Sequence, residues 1–202
     1  MVGTEGLPAV YAALYPERDW GRREDALFQK ALLRKLLLYA VFQEFGVDAS
    51  GEAVETGKFG KPCFARLPIQ YNGTHCKGLV CCAVGREPLG LDAEPLSRPF
   101  DWRTAERACT ERELEALRKS ETPSEEFLRY WTLKESYLKL TGEGLTGGLK
   151  NAEFFFHAGR PRMADPAVRA SQAVVDSRYL VALCSREREW DLTVKIIPLE
   201  KL

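Results

Sequence analysis

Two acidic residues lie two positions apart in the apolar segment Gly-Leu-Asp-Ala-Glu (90–94). If this segment is a strand, Asp92 and Glu94 point to one face and the intervening apolar residues point to a core. Gly90 falls on the carboxylate face, and we expect it to leave that face open. Neighbouring carboxylate oxygens beside free space suit Mg²⁺, which commonly bridges protein carboxylates to a substrate phosphate. An edge strand with a polar outer face is the alternative.

A second candidate group lies in the segment Trp-Thr-Leu-Lys-Glu-Ser-Tyr-Leu-Lys (131–139). On a helix, Trp131, Glu135 and Lys139 fall on one stripe at intervals of four residues. Since Trp131 is large and apolar, we expect Glu135 to lie partly toward the core, where an uncompensated charge is costly. A divalent cation shared with the two strand carboxylates would compensate it. The alternative is a surface ion pair between Glu135 and Lys139, worth only about 0.3–0.5 kcal/mol.

Other polar residues give weaker signals. His75 is either a structural histidine or, beside Thr74, a donor to a phosphate. Glu113 follows Thr110 by three residues, which is the spacing of a helix capping box. The chain has two histidines and six cysteines but no C-x-x-C and no G-x-S-x-G. A multi-histidine metal site, a zinc knuckle and a serine hydrolase are therefore not expected, and the cysteines should be free thiols.

The composition describes a globular chain of one domain or two small halves. Its 202 residues are 45% hydrophobic, and the formal net charge is zero. This balance provides no overall attraction to nucleic acid or to an anionic membrane. The sequence shows neither a run of about 18 apolar residues nor a secretion signal, so we expect a cytoplasmic protein.

The pattern of the chain predicts an α+β fold with two similar α+β halves, residues 1–87 and 88–202. The first helix is expected to be buried on more than one side because its apolar residues cover most of its circumference. A tight loop should join the two strands in the middle of the chain. The predicted helices are 24–45, 103–119 with a restart at Thr110, and 124–141; the predicted strands are 79–84, 89–94, 152–156, 173–184 and 190–198.

Four segments occur in an order and spacing that resemble those of one enzyme family. They are Gly60-Lys61-Pro62, Tyr71-Asn72-x-Thr74-His75, Gly90-x-Asp92-x-Glu94 and Trp131-x-x-Lys134-Glu135-Ser136-x-x-Lys139. Together they resemble the 4′-phosphopantetheinyl transferases of the two-lobed, surfactin-synthetase-activating type, and the last segment is the most specific. The resemblance implies two halves related by a pseudo-twofold axis, with the active site in the cleft between them. We also consider that the C-terminal strand packs back on the first half.

The resemblance implies a Mg²⁺-dependent reaction in which the phosphopantetheine arm of coenzyme A moves to a serine hydroxyl of an apo acyl or peptidyl carrier protein. Adenosine 3′,5′-bisphosphate is released, and the enzyme is a monomer with a pseudo-dimeric core. For the proton of the serine, Glu135 is the first candidate base, acting directly or through a metal-bound water, and Glu113 is the second. The other implied roles are Mg²⁺ binding by Asp92, Glu94 and Glu135, pyrophosphate binding by Lys139, 3′-phosphate binding by Thr74 and His75, and an adenine pocket lined by Gly60, Lys61 and Pro62.

Some positions depart from the family pattern. Thr74 stands where serine is usual, Cys76 replaces a second serine, and Phe28 lies about where an arginine often contacts coenzyme A. Two other functions remain open: a Mg²⁺-dependent phosphohydrolase acting on coenzyme A-like pyrophosphates, and a non-catalytic module that binds coenzyme A or a carrier protein. The sequence does not identify the carrier as that of a fatty-acid, polyketide or peptide synthase.

Overall fold

The computed structural model describes residues 7–17, 21–57, 60–142, 144, 148–186 and 190–202. Strands and helices are mixed along the chain, so the α+β class is confirmed. The first part contains β1 (Ala9–Leu14), α1 (Arg22–Phe45), β2 (Val54–Thr56), β3 (Pro62–Phe64), β4 (Gln70–Cys76) and β5 (Leu79–Gly85). The second part contains β6 (Leu89–Pro95), α2 (Trp102–Ala108), α3 (Glu111–Lys119), α4 (Pro123–Thr141), β7 (Phe154–His157), β8 (Arg160–Met163), β9 (Arg169–Val175), β10 (Tyr179–Ser185) and β11 (Val194–Ile196).

Two sheets form the centre of the described structure. One has the order β11-β1-β5-β4 and the other the order β6-β10-β9, while β2-β3 and β7-β8 are separate hairpins. In the first sheet β5 pairs antiparallel with both β1 and β4. In the second sheet β10 pairs antiparallel with both β6 and β9. The strand β11 lies on the first sheet, parallel to β1. The units β1–β5 and β6–β10 therefore share one sheet order.

The two middle strands belong to different sheets. Only residues 86–88 separate β5 from β6, yet β5 pairs with β1 and β4 whereas β6 pairs with β10. The tight loop that the sequence predicts is therefore a crossing between sheets and not a hairpin turn. As a result β6 is an edge strand, and its free edge faces the first sheet.

An apolar interface joins the two sheets. Strand β5 contributes Leu79 and Cys81, and strand β6 contributes Leu89, Leu91 and Ala93. Because side chains alternate along a strand, Asp92 and Glu94 must point away from this interface. The prediction that the apolar residues of β6 face a core is confirmed.

Helix α4 packs on the opposite face of β6, next to Gly90. A Cβ atom at this position would clash with the carbonyl oxygen of Ser136 and the amide nitrogen of Leu140. The expectation that Gly90 leaves the carboxylate face open is therefore wrong, since the helix backbone fills that space. The missing side chain allows the close approach that places Glu135 and Lys139 over the strand.

Helix α1 is buried most deeply in its middle turns. Its buried side chains include Leu32, Leu36 and Ala40, whereas Leu27 is 61% exposed and Phe42 is 55% exposed. From Leu36 to Val41, more than one full turn, every residue is at least partly buried, which agrees with the prediction of burial on more than one side. The predicted end at Gly46 is confirmed by its left-handed backbone, with φ at 67°.

The second half agrees with the sequence in its helices and differs in its strands. The helical restart at Thr110 and the helix end at Gly142 are confirmed. The single strand predicted for 173–184 is instead two antiparallel strands, because Asp176 and Ser177 adopt left-handed conformations and form a turn. The strand β8 was not predicted.

Two further expectations concern the whole chain. All six cysteines are free thiols, as predicted. Within the described ranges, none of the helices combines the length and the apolar composition that a bilayer span requires.

The fit between Gly90 and α4 leads to a stability prediction. We expect Gly90→Ala to lower the free energy of unfolding by about 3 kcal/mol or more, because the clashing atoms are backbone and cannot rotate away. Urea denaturation of the purified protein measures this. The matched control is Gly51→Ala, where a Cβ meets no atom within 4 Å, and it should stay within about 0.5 kcal/mol of wild type. Equal stability of both variants would contradict the packing described here.

Candidate functional site

The candidate site lies where β4, β6 and α4 meet, and Asp92 is at its centre. The Lys139 ammonium donates to Asp92 Oδ1 at 2.7 Å and to Thr74 Oγ1 at 3.4 Å. The Thr74 hydroxyl in turn donates to Asp92 Oδ1 at 3.4 Å. Three elements that are distant in sequence thus converge on one carboxylate.

Glu94 is held by two groups beside Asp92. Its Oε1 accepts hydrogen bonds from Trp131 Nε1 at 3.1 Å and from the Arg98 guanidinium. The Arg98 guanidinium also lies over the Trp131 ring, 4.2 Å from its centroid. Sequence analysis missed Arg98, although its position four residues after Glu94 was a possible signal of an ion pair.

The carboxylates of the site are incompletely compensated. Burial raises the pKa of Glu135, and the neighbouring charge of Asp92 raises it further. Burial also raises the pKa of Glu94, against the opposing effect of Arg98. Asp92 is 5% exposed, and its Oδ2 atom is buried without a hydrogen-bond partner.

This donor set fits a hard divalent cation. Carboxylate oxygens are the ligands that Mg²⁺ prefers, and an unpartnered buried oxygen such as Asp92 Oδ2 gains most from one. The carboxylates are not arranged as a ready-made cage: the described part of the chain contains no group of three or more His, Cys, Asp or Glu side chains placed to hold a metal ion.

A cleft of about 260 Å³ lies between the segment Gly60-Lys61-Pro62 and the end of helix α4 that carries Glu135 and Lys139. Lys61 lies at its wall and donates to the carbonyl oxygen of Leu89 at 2.7 Å. Burial lowers the pKa of Lys61 to about 8. The structure thus brings several of the residues predicted from sequence into one cavity. The lining residues are Gly60, Lys61, Pro62, Asn72, Glu135, Leu138, Lys139, Gly142 and Gly144.

The neighbouring residues Thr74 and His75 of β4 differ in their surroundings. Thr74 is buried and bonded to Asp92, as described above. Partial burial lowers the pKa of His75, and the nearby positive charge of Lys139 lowers it further. Since consecutive residues of a strand alternate in direction, Thr74 and His75 leave β4 on opposite sides.

Glu113 does not join this group. Its side chain is 1% exposed; it accepts from the amide of Thr110 at 2.7 Å and from that of Phe154 at 2.9 Å, and pairs with Lys134 at 2.7 Å. The capping box is confirmed. The prediction that Glu113 is a candidate base is corrected. Both of its oxygens are bonded to groups of the second half, so Glu113 is a structural residue.

Lys134 was also missed as a structural residue. Its side chain is fully buried and donates to the carbonyl oxygens of Leu149 and Ala152. The signal was present in the helical period, since Lys134 follows the buried residues Phe127 and Tyr130 at spacings of seven and four. A lysine at such a position requires a buried acidic partner.

Comparison with known proteins reveals one consistent similarity. Residues 88–191, slightly more than half of the chain, match the model of the 4′-phosphopantetheinyl transferase superfamily. The 4′-phosphopantetheinyl transferase Sfp of Bacillus subtilis (strain 168) is 26% identical over 194 residues, which cover 92% of this chain and 85% of that protein. The 4′-phosphopantetheinyl transferase gsp of Aneurinibacillus migulanus is 31% identical over 122 residues, covering 59% and 49%.

Two further similarities are more local. The 4′-phosphopantetheinyl transferase HetI of Nostoc sp. is 39% identical over 108 residues, which cover 50% of this chain and 46% of that protein. Among solved structures, the Thermotoga maritima holo-[acyl-carrier-protein] synthase (AcpS) is similar with a TM-score of 0.42 and 25% identity. That similarity covers 48% of this chain and 61% of the other.

The buried pair of Glu113 and Lys134 leads to a prediction that separates a structural role from a catalytic one. Glu113→Gln should lower the free energy of unfolding by about 3–5 kcal/mol, because it leaves the Lys134 ammonium uncompensated. Adding Lys134→Met should restore part of this loss. The control is Glu111→Gln on the same helix, whose ion pair with Arg118 is exposed; it should cost less than about 0.5 kcal/mol. Denaturation curves of the variants measure these free energies of unfolding. Wild-type stability of Glu113→Gln would reject the structural role.

Proposed function

Because the chain belongs to the 4′-phosphopantetheinyl transferase superfamily and is an enzyme of that family, we propose that it moves the phosphopantetheine arm of coenzyme A to a serine of an apo carrier protein. The reaction would depend on Mg²⁺ and release adenosine 3′,5′-bisphosphate. The observation that carries the proposal is the cleft that Gly60, Lys61 and Pro62 share with Glu135 and Lys139.

The proposed architecture is a pair of α+β halves, residues 1–87 and 88–202, related by a pseudo-twofold axis. The shared sheet order of the units β1–β5 and β6–β10 supports it. The crossing at 86–88, where the chain leaves one sheet for the other, supports the boundary. The cleft would then be the groove between two related units, which is a frequent place for a ligand.

We assign the parts of coenzyme A to the walls of this cleft. The segment from Gly60 to Pro62 would line the adenine pocket. The 3′-phosphate would bind at the edge of β4, where Thr74 and His75 can contact it from opposite sides of the strand. The hydroxyl of Thr74 keeps the hydrogen-bonding group that serine provides at this position in the family. The proximity of Lys139 to Thr74 supports an anion in this region.

Asp92, Glu94 and Glu135 would hold Mg²⁺, which neutralises charge on the diphosphate when it is bound. Two observations support this assignment: the unpartnered Asp92 Oδ2 and the raised pKa of Glu135 beside Asp92. The Lys139 ammonium would leave its contact with Asp92 to bind the diphosphate and stabilise the departing phosphate.

In the proposed reaction the serine oxygen attacks the phosphorus that carries the pantetheine. A new P–O bond forms, the P–O bond to adenosine 3′,5′-bisphosphate breaks, and the serine proton passes to a base. Glu135 is our choice, acting directly or through a metal-bound water, because its carboxylate lines the cleft beside Lys139. Glu113 is not retained as a base, because its oxygens are bonded inside the second half.

The first test is the covalent product. Purified protein with Mg²⁺ and coenzyme A should add about 340 Da, the mass of the transferred arm, to an apo carrier protein. Mass spectrometry across carriers of the fatty-acid, polyketide and peptide-synthetase classes would detect it. Release of phosphopantetheine without an acceptor would favour the phosphohydrolase, and carrier binding without any mass change would favour the non-catalytic module.

The metal assignment has its own test at Asp92. Asp92→Asn should reduce the transfer rate at least about 100-fold, because it removes a charge that the transition state needs through the cation. The variant should retain a cooperative unfolding transition, since asparagine has the same shape and relieves the repulsion from Glu135. Transfer at the wild-type rate would reject Asp92 as a ligand.

The role of Glu135 is tested against a second glutamate on the same helix. Glu135→Gln should lower kcat at least about 100-fold, since it removes the proposed base as well as a negative charge from the site. Glu125→Gln is the control because Glu125 is exposed in the first turn of α4. Steady-state transfer assays compare the two, and equal rates would exclude Glu135 from the reaction.

A further inference from the structure

The free edge of β6 is fastened to the first half by side chains and not by a strand. In an antiparallel pair, alternate residues turn their N–H and C=O groups toward the partner strand and the others turn them away. Leu89 and Leu91 turn their N–H and C=O groups away from the partner strand β10. The carbonyl oxygen of Leu89 accepts from Lys61 Nζ at 2.7 Å, and the amide of Leu91 donates to Asn72 Oδ1 at 2.9 Å.

The contact between Asn72 and Leu91 is buried. Asn72 is 6% exposed and Leu91 is not exposed at all. Without the amide oxygen, the N–H group of Leu91 would be buried with no acceptor, and such a group costs far more than a hydrogen bond at the surface. The position of β6 against β4 therefore depends strongly on this one side chain.

The same pair of strands carries the residues of the proposed site. Two positions after Asn72, on the same face of β4, Thr74 contacts Asp92, which is the residue after Leu91. Asn72 also lines the cleft beside Glu135 and Lys139. A change in the alignment of the two strands would move the acidic residues of β6 away from the residues that line the opposite wall.

We infer that Asn72 is a positioning residue, which sets the alignment of the acidic strand β6 against β4 through the amide of Leu91. This inference rests on the proposed function for its kinetic consequence. It predicts that loss of the Asn72 amide lowers kcat more than it raises KM for coenzyme A. The reason is that Gly60 and Pro62, and with them most of the proposed coenzyme A contacts, stay on the first half while Asp92 shifts.

The test combines hydrogen exchange with kinetics on the full chain. In Asn72→Ala the amide of Leu91 should exchange at least about tenfold faster by NMR, kcat should fall at least about tenfold, and KM for coenzyme A should stay within about twofold. The control Gln70→Ala, on the same face of β4, should change none of these. Asn72→Asp keeps the acceptor oxygen, so it should restore the slow exchange and raise kcat above that of Asn72→Ala.

Several results would overturn the inference. An unchanged exchange rate of the Leu91 amide in Asn72→Ala would overturn it. Faster exchange together with a wild-type kcat would also overturn it, because that result indicates a structural role only. Should Asn72→Ala not fold, Asn72→Ser is measured in the same way, because its hydroxyl is too short to reach Leu91. A wild-type chain without transferase activity would reject the proposed function, while the exchange experiment would still decide whether Asn72 fixes the strand.

Discussion

The apolar contact between the two sheets determines how the rest of the molecule can be arranged. Strand β6 buries Leu89, Leu91 and Ala93 in this interface. Side chains alternate along a strand, so this burial alone fixes Asp92 and Glu94 on the face toward α4. A slip of one residue would place both carboxylates in an apolar core at a prohibitive desolvation cost, so the face on which the acidic residues lie is strongly specified.

Two kinds of buried acid occur in this fold, and their contrast separates structure from proposed function. Glu113 is completely satisfied by two backbone amides and the Lys134 ammonium, so its charge stabilises a helix start and the loop before β7. Asp92 is nearly as buried but keeps one oxygen without a partner. A buried oxygen without a hydrogen-bond partner lowers the stability of the fold. Such an oxygen is expected mainly where a bound ligand interacts with it.

Local patterns predicted the candidate site well where the chemistry is set within one element. The two-residue alternation placed Asp92 and Glu94 on one face, and the four-residue spacing placed Glu135 and Lys139 together on α4. Both predictions depend only on the repeat of a strand or a helix. The ion pair between Lys139 of α4 and Asp92 of β6 connects the two elements, and it is consistent with both predictions.

Most of the wrong predictions concern features that depend on contacts between elements distant in sequence. Gly90 appeared to provide open space, because the sequence cannot show that the backbone of α4 fills it. The span 173–184 appeared to be one strand, because the polar residues Asp176 and Ser177 were too few to indicate a turn. Glu113 appeared available to a substrate, because its buried partner Lys134 is distant in sequence and lies on another helix. The error at Gly90 depends on a contact between elements that no local pattern contains, whereas the error at 173–184 concerns a local turn with a weak sequence signal.

The departures from the family pattern have a consistent physical consequence on the first half. Phe28 packs edge-on against Tyr15, with 5.1 Å between ring centroids, so an apolar contact stands where the family often has a cation. Burial and the neighbouring carboxylates raise the pKa of the Cys76 thiol to about 12, which leaves it neutral and a weak donor. Binding of the proposed polyanion would then depend on other cations, and Lys61 and Lys139 line the cleft. Lys139 provides such a charge already directed at Thr74 and Asp92, so in this chain the helix of the second half would supply much of the positive charge for the proposed ligand.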